Sequence, residues 1–527
     1  NMAEAIDVHR VFAEYFRGCE ALAYALSSRL GEGNICIDIN EYVGDTELTT
    51  GNPFFTDKES FLVQTEEGEF VTHNTSDEVL KPFIINDGKA YLQRYYHYET
   101  SIIRHIKRLK NNFHIITGGP GSGKTYSVST KLVELLNKNN NLKIALAAPT
   151  GKAAVRMNES IKKYVNDAKD SIAPSVKEIL TGLKAQTIHR LLGTRINSVF
   201  FNCNEKNKLP YDVVIIDECS MVDGAMMSKL LEAVNDNSIL YLIGDRDQLA
   251  SIEAGSVFGD LCRSEKSDVM NGKVETLKGS RRFTKDAGIW TISQSIIGGQ
   301  FHDIKEYDGN EQVTIDTEFS KDLFEEYALI YRDYITEADI VQALKKLNRV
   351  RFLCVTKTDD NSVSEYNKKI QYFLSRKIEG FNPKTEGFYH NQPIIITKND
   401  YKLGVFNGDV GIVREKEVNG RKVMMASFET TDGKIMEIQA GYLNHYDTVF
   451  AMTVHKSQGS EFENVVVILP QKHGKKLLTR ELLYTGVTRA IKKVLIQSAP
   501  EVIAECVEKS VMRASGLETR LLKEKIL

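Results

Sequence analysis

Cysteine chemistry is nearly missing from this sequence. Seven cysteines lie scattered through 527 residues, with no Cys-x-x-Cys pair and no His/Cys cluster at ligand spacing. That excludes a disulfide framework and argues for reduced thiols, no zinc site and a cytosolic compartment. Long apolar runs are missing too: none is long enough to cross a bilayer, and no N-terminal signal pattern is present, so no membrane role is expected. Excess charge of either sign is a third absence, since 68 Lys plus Arg meet 71 Asp plus Glu for a net charge of -3. Bulk charge therefore says nothing in favour of nucleic acid, and any basic groove must be local. No repeat of solenoid period and no convincing nuclease-type metal cluster stands out.

What is present begins with "ITGGPGSGKTYSVSTKL" at Ile116. Gly118 to Thr125 fits Gly-x-x-x-x-Gly-Lys-[Ser/Thr], after the apolar run "FHIIT" and ahead of a helix-compatible stretch. Glycines at 118, 119, 121 and 123 let successive amide N–H groups converge on phosphates at a helix N-terminus. With Pro120 and Ser122 they form the candidate ATP cradle; Lys124 brings a cation to the phosphates, and the Thr125 hydroxyl suits a Mg²⁺ ion. A glycine-rich turn can match by accident, but the flanking strand and helix patterns favour the phosphate reading.

Around this motif, short apolar runs alternate with helical patterns: "HIIT", "KIALAAPT", "DVVIIDE" and "ILYLIGD". Such alternation predicts an α/β fold, a parallel sheet covered by helices with ligands at the carboxyl ends of the strands. A second alternating region begins near Lys278 and resumes after Val449 with "NVVVILP" and "KKVLIQS". Between them "PIIITKND", "GDVGIVREK", "KVMMASFE" and "KIMEIQAG" read as short strands with turns and no helix, a small inserted β-barrel. The first ninety or so residues open on amphipathic helical patterns and carry no phosphate or metal motif, which suits an accessory domain.

The strand "VVII" delivers Asp217 and Glu218 to its carboxyl end, where Asp217 can hold Mg²⁺ and Glu218 can polarise the attacking water as general base. Acids at strand ends are often plain caps; the preceding phosphate motif favours the catalytic role. The stretch "LIGDRDQLASIEAGSVFGDL" adds Asp245, Asp247 and Gln248, and the glutamine can sense a γ-phosphate. Arg281 and Arg282 in "GSRRF", and Arg489 in "LLYTGVTRA", are cations that a second domain could direct at the transferring phosphoryl group. Each arginine taken alone is as readily a surface ion pair.

Together "GGPGSGKT", "LAAPTGKAA", "TIHRLLG", "VIIDECSMVD", "GDRDQLASIEAGSVFGD", "FNGDVGIV", "AMTVHKSQGSEF" and "YTGVTRA" occur in the order found in superfamily 1 helicases. The chain resembles in particular the RecD family, the alpha subunits of exodeoxyribonuclease V (RecBCD), over roughly residues 113–500. The resemblance implies two RecA-like P-loop domains with parallel sheets, a small inserted SH3-like β-barrel and a mostly helical N-terminal domain. It implies an ATP- and Mg²⁺-dependent 5′-to-3′ DNA helicase of the bacterial cytoplasm, acting in double-strand-break repair and recombination on single- and double-stranded DNA. RecB-like and RecC-like subunits would complete a heterotrimer, with the nuclease in a partner.

By domain, the expectation is 1–95 accessory and RecC-docking, 96–275 first RecA-like, 276–389 second RecA-like, 390–447 barrel, and 448–527 the rest of the second RecA-like domain. Carried over by motif, Lys124, Asp217, Glu218, Gln248, Arg282 and Arg489 are catalytic, and Glu461 approaches the ribose. Pro149, Thr150, Lys152, His189, Thr453, His455 and Lys456 contact DNA, and residues 194–210 offer a pin hairpin that could separate strands. Two departures stand out. Ser101 occupies the place of the family's adenine-recognising glutamine, and the segment ahead of the P-loop is short. Two other classes stay open on the residues: a stand-alone RecD-like helicase, whose upstream helix-hairpin-helix glycines are not found here, and an ATPase that uses nucleotide as a switch.

Overall fold

The computed structural model describes residues 7–76, 80–168, 171–194, 198, 200–280, 288–300, 307–400, 402–418, 420–430, 433–471, 477–511 and 513–525. Two all-parallel sheets dominate. The first runs Val274–Thr276, Phe113–Thr117, Ile239–Gly244, Val213–Ile216, Ile144–Ala148, Gln186–Thr187 in spatial order. The second runs Val313–Asp316, Ala490–Gln497, Phe462–Ile468, Val350–Cys354, Ala451–Thr453. Both have helices packed on their faces, which is why their strands read as continuous apolar runs: all four residues of Val213–Ile216 are fully buried. Burying each such side chain contributes about 1.5–3 kcal/mol.

The helix Gln93–Leu109 belongs with the first sheet, since Ile102, Ile103, Ile106 and Leu109 enter the same core as Phe113 and Val214. Their spacing of three and four places all of them on one face. Ser101 faces away toward Glu232, donating to its carboxylate at 3.0 Å.

Residues 392–448 contain an antiparallel five-stranded sheet in the order Ile435–Gln439, Arg421–Glu429, Val410–Val418, Gln392–Ile396, Tyr446–Thr448. It has its own core around Ile394, Val413, Ala426 and Phe428. The N-terminal region holds the helices Val8–Ala13, Glu20–Gly31, Ile39–Gly44, Thr46–Thr50 and Lys58–Glu67. It also holds a four-stranded sheet, Cys36–Asp38, Lys89–Leu92, Phe83–Asn86, Val71–Thr72, which the sequence reading did not anticipate.

The chain's end corrects one assignment. The first sheet with its helices forms the first lobe, and the second sheet with its helices the second lobe. Residues 448–527 were expected in the second RecA-like domain, hence the second lobe, but Leu517 and Leu521 of the helix Leu517–Lys523 are buried in the first lobe's core. Leading into that helix, Ala514 O accepts from Ile35 N at 2.9 Å, and Ser515 Oγ and Gly516 N donate to the buried Glu99 at 3.0 and 2.9 Å. This strap ties the N-terminal domain to the first lobe. Among the described residues no helix is long and apolar enough to cross a membrane, and all seven cysteines are free thiols.

Candidate active site

The phosphate loop leaves the strand Phe113–Thr117 and enters the helix Lys124–Lys138 through Gly123, whose φ of 89° is left-handed, as is the 71° of Gly121. Space demands glycine elsewhere: a Cβ on Gly118 would sit 2.6 Å from Ser122 Oγ and 3.0 Å from the Leu277 carbonyl oxygen. Lys124 Nζ donates to the carbonyls of Gly118 and Gly119 at 2.6 and 3.0 Å, so its charge lies directly over the loop. Ser122 Oγ is buried without a hydrogen-bond partner among the described residues. A buried hydroxyl without a partner inside a ring of glycines suits an anion with oxygen acceptors.

Across the loop, neighbouring strand ends present carboxylates. Asp217 follows Val213–Ile216, and its carboxylate accepts from the Glu218 backbone N–H at 2.8 Å. Glu218 sits at φ 54°, a left-handed turn that re-aims its side chain. Burial, and then the Glu218 charge, raise the Asp217 carboxyl, while Lys124 and Arg156 oppose the rise. Asp245 follows Ile239–Gly244 and is likewise raised by burial, with Lys124 lowering it. One lysine thus acts on both acids.

The second lobe closes the cleft. Tyr484, on the helix Arg480–Val487, donates its hydroxyl to Asp245 Oδ2 at 2.9 Å, and Gln248 Nε2 donates to the same oxygen at 3.0 Å. A Cβ on Gly119 would lie 3.1 Å from the Tyr484 hydroxyl, so this ring sits against the phosphate loop itself. Leu249 N donates to Thr485 Oγ1 at 2.9 Å, and Gln458 Nε2 donates to the Leu249 carbonyl at 2.6 Å. Arg489, 2% exposed, donates to the carbonyls of Thr485 and Ser460 at 3.1 and 3.2 Å. Burial lowers its guanidinium pKa, and Glu218 and Glu461 oppose that shift.

Glu461, expected near a ribose, receives Arg156 Nη2 on its carboxylate at 2.6 Å. Arg282 and its neighbour Arg281 lie outside the described residues.

The candidate DNA contacts fall into two groups. Thr150 caps the helix Gly151–Asp167, accepting from Ala153 N at 3.2 Å, and Pro149 precedes it at the end of Ile144–Ala148. The Lys152 ammonium lies 5.3 Å from the Phe462 ring centroid, and burial, then Arg351 and Arg156, depress it to about 7. A Cβ on Gly459 would be 3.6 Å from Thr150 Oγ1, which brings the segment after Thr453, His455 and Lys456 onto the same helix start. Thr453 Oγ1 accepts from Lys456 N at 3.2 Å, and Lys456 Nζ pairs with Asp447 at 3.3 Å. His189 keeps other company, its ring 5.8 Å from that of Phe201. In the segment 194–210, the described residues form an isolated antiparallel bridge, Thr194 to Phe201, and turns; 195–197 and 199 lie outside the described residues.

Between the two lobes and the inserted sheet lies a cavity of about 750 Å³, walled by Lys152, Lys163 and Arg190 on one side and by Phe406, Asp409 and Phe428 on the other. Cations opposite the partly exposed Phe406 ring suit a polyanion with flat bases. Sequence reasoning missed Tyr484, Gln458 and Arg156. All three sit inside or beside quoted motifs, yet their partners are on the opposite lobe, which no local spacing reveals.

Comparison with known proteins agrees with this geometry. Residues 102–254 match the model of an AAA domain, and residues 448–496 that of a UvrD-like helicase C-terminal domain. The RecBCD enzyme subunit RecD of Mycolicibacterium smegmatis is 36% identical over 431 residues, 78% of this chain and 73% of that protein. The RecBCD enzyme subunit RecD of Haemophilus influenzae is 33% identical over 465 residues, 78% of this chain and 70% of that protein. The ATP-dependent RecD2 DNA helicase of Deinococcus radiodurans is 29% identical over 376 residues, 71% of this chain but 45% of that longer protein.

Proposed function

This chain belongs to the RecD family of ATP-dependent DNA helicases, and from that premise we propose how its residues carry the activity and with whom it works. ATP binds at the loop Gly118–Thr125, and hydrolysis drives 5′-to-3′ movement along single-stranded DNA. The observation that carries this reading is the convergence at one cleft of Lys124, Asp217, Glu218, Asp245 and Gln248 from the first lobe with Tyr484 and Arg489 from the second. A cleft built from both lobes is what makes lobe separation answer to nucleotide.

In this reading the loop amides and Lys124 bind the phosphates, Glu218 accepts the proton of the attacking water, and Arg489 stabilises charge on the transferring group. A Mg²⁺ ion, which would neutralise phosphate charge, would be held by Thr125 and Asp217. Gln248 and Tyr484, joined through Asp245, report nucleotide to the second lobe. Single-stranded DNA follows the cavity beside Lys152, with Lys163 and Arg190 on phosphates and Phe406 against bases. The inserted antiparallel sheet, read as an SH3-like barrel, closes one wall.

The chain acts as the motor subunit of a complex with RecB-like and RecC-like chains. Exposed Val8, Val11, Tyr15, Val63 and Leu80 supply apolar surface for docking on the N-terminal domain. The test is ATP hydrolysis with and without single-stranded DNA, in wild type and Lys124→Ala. Stimulation lost in the variant supports the motor; hydrolysis indifferent to DNA would favour a nucleotide switch. Copurification with large RecB- and RecC-like partners separates the complex from a stand-alone helicase.

A further inference from the structure

The helix Gly151–Asp167 has two working faces. Ala153, Ala154, Met157, Ile161 and Val165 bury one of them in the first lobe. The other carries Lys152, Arg156 and Lys163, spaced for one side of a helix. From that side Arg156 reaches across the cleft. Its Nη1 donates to the Gly459 carbonyl at 3.0 Å and its Nη2 to Glu461 Oε1 at 2.6 Å, both on the second lobe. The same Nη1 lies 3.6 Å from Glu218 Oε1 on the first. All three side chains are largely shielded, at 31% exposure for Arg156, 16% for Glu218 and 18% for Glu461. A planar fork with donors on two separate nitrogens serves these partners in a fixed geometry that a lysine's single nitrogen does not offer.

We infer that Arg156 is a positioning residue of the hydrolysis centre: anchored on Gly459 and Glu461, it makes the placement of Glu218 follow the arrangement of the two lobes. The inference rests on reading Glu218 as the base. While the lobes stand as observed, the guanidinium holds the Glu218 carboxylate from one side. A shift that draws Glu461 away takes the cation with it or leaves it to Glu218 alone, so the carboxylate's aim changes in either case. Lys152 lies one turn before Arg156 on the same rigid face. A strand gripping Lys152 therefore moves Arg156, which gives DNA a short path to the candidate base without touching the nucleotide.

The test compares Arg156→Gln, Arg156→Lys, Glu461→Gln, Glu218→Gln and the double variant Arg156→Gln/Glu461→Gln in ATP hydrolysis at saturating single-stranded DNA. For Arg156→Gln, kcat is expected to fall about tenfold with KM for ATP changed by less than about twofold, because positioning acts on the chemical step and not on binding. Arg156→Lys, which keeps the charge but not the fork, should recover about a third of the lost rate. Adding Glu461→Gln to Arg156→Gln should cause less further loss in kcat than Glu461→Gln causes alone, since both changes break the same ion pair.

An Arg156→Gln enzyme with kcat within about twofold of wild type, or one whose KM alone rises, would overturn the inference and leave an ordinary contact between lobes. If Glu218→Gln retains wild-type hydrolysis, the base assignment fails and the inference with it. If Glu218→Gln is inactive while Arg156→Gln is not impaired, the inference alone fails. Should Arg156→Gln not fold, by thermal unfolding, Arg156→Lys carries the test: a loss of about threefold in kcat at constant KM supports it, and an unchanged kcat refutes it.

Discussion

Replacing Tyr484 by phenylalanine removes one oxygen atom from the centre of the cleft and little else, which makes it a sharp probe of how the lobes communicate. The hydroxyl donates to Asp245 Oδ2 at 2.9 Å, and Asp245 is 2% exposed. What remains on that carboxylate is Gln248 Nε2 at 3.0 Å and the Asp247 backbone N–H at 3.1 Å. A hydrogen bond to a charged acceptor contributes about 1.5–3 kcal/mol, and a buried carboxylate that loses a donor cannot recover it from water. If that energy is expressed in the closed, hydrolysing arrangement, kcat should fall about 10- to 150-fold, since about 1.4 kcal/mol is tenfold. Burial already raises Asp245, so losing the donor also pushes its carboxyl further toward the neutral form. The assay is DNA-stimulated ATP hydrolysis by wild type, Tyr484→Phe, Asp245→Asn and the double variant. The penalty of Tyr484→Phe should shrink several-fold in the Asp245→Asn background, because both changes strike one interaction. A Tyr484→Phe enzyme within about twofold of wild type, or a penalty undiminished by Asp245→Asn, would refute the coupling.

Three further outcomes are expected. Gly118→Ala should abolish binding of a fluorescent ATP analogue without unfolding the protein, because the added Cβ meets Ser122 Oγ at 2.6 Å and the Leu277 carbonyl at 3.0 Å. Lys152, held at about 7 where an ordinary lysine titrates near 10.4, loses its charge as pH rises through neutrality. Affinity for single-stranded DNA, read by anisotropy, should therefore weaken more between about pH 6 and 8.5 in wild type than in Lys152→Arg, whose guanidinium stays charged. Leu521→Ala should lower the stability of the first lobe by about 2–5 kcal/mol in denaturant unfolding, since this fully buried side chain from the chain's end fills its core.

Much of the architecture was legible because it rests on local signals. Strands such as Val213–Ile216 and Ile239–Gly244, buried on both faces of a parallel sheet, must be continuous apolar runs. The phosphate loop was legible because backbone at Gly121 and Gly123 takes positive φ and admits few other residues. What escaped depends on distance along the chain. The N-terminal strands Cys36–Asp38 and Val71–Thr72 are two or three residues long, too short for any period to show. The helix Leu517–Lys523 looks like an ordinary amphipathic end, and nothing near it in sequence says that its leucines return to the first lobe. The same limit applied in the site. Asp217, Glu218 and Gln248 could be picked out from their strands, whereas Tyr484 and Arg156 acquire chemistry only when the lobes meet.

The most direct measurement is unwinding of a DNA duplex bearing either a 5′ or a 3′ single-stranded tail, with ATP and Mg²⁺, by the chain assembled with its partners, using Lys124→Ala as control. The account predicts that this subunit's contribution acts on the 5′-tailed substrate and disappears with Lys124→Ala. Equal unwinding from the 5′ tail by wild type and Lys124→Ala, or a contribution confined to the 3′ tail, would contradict it.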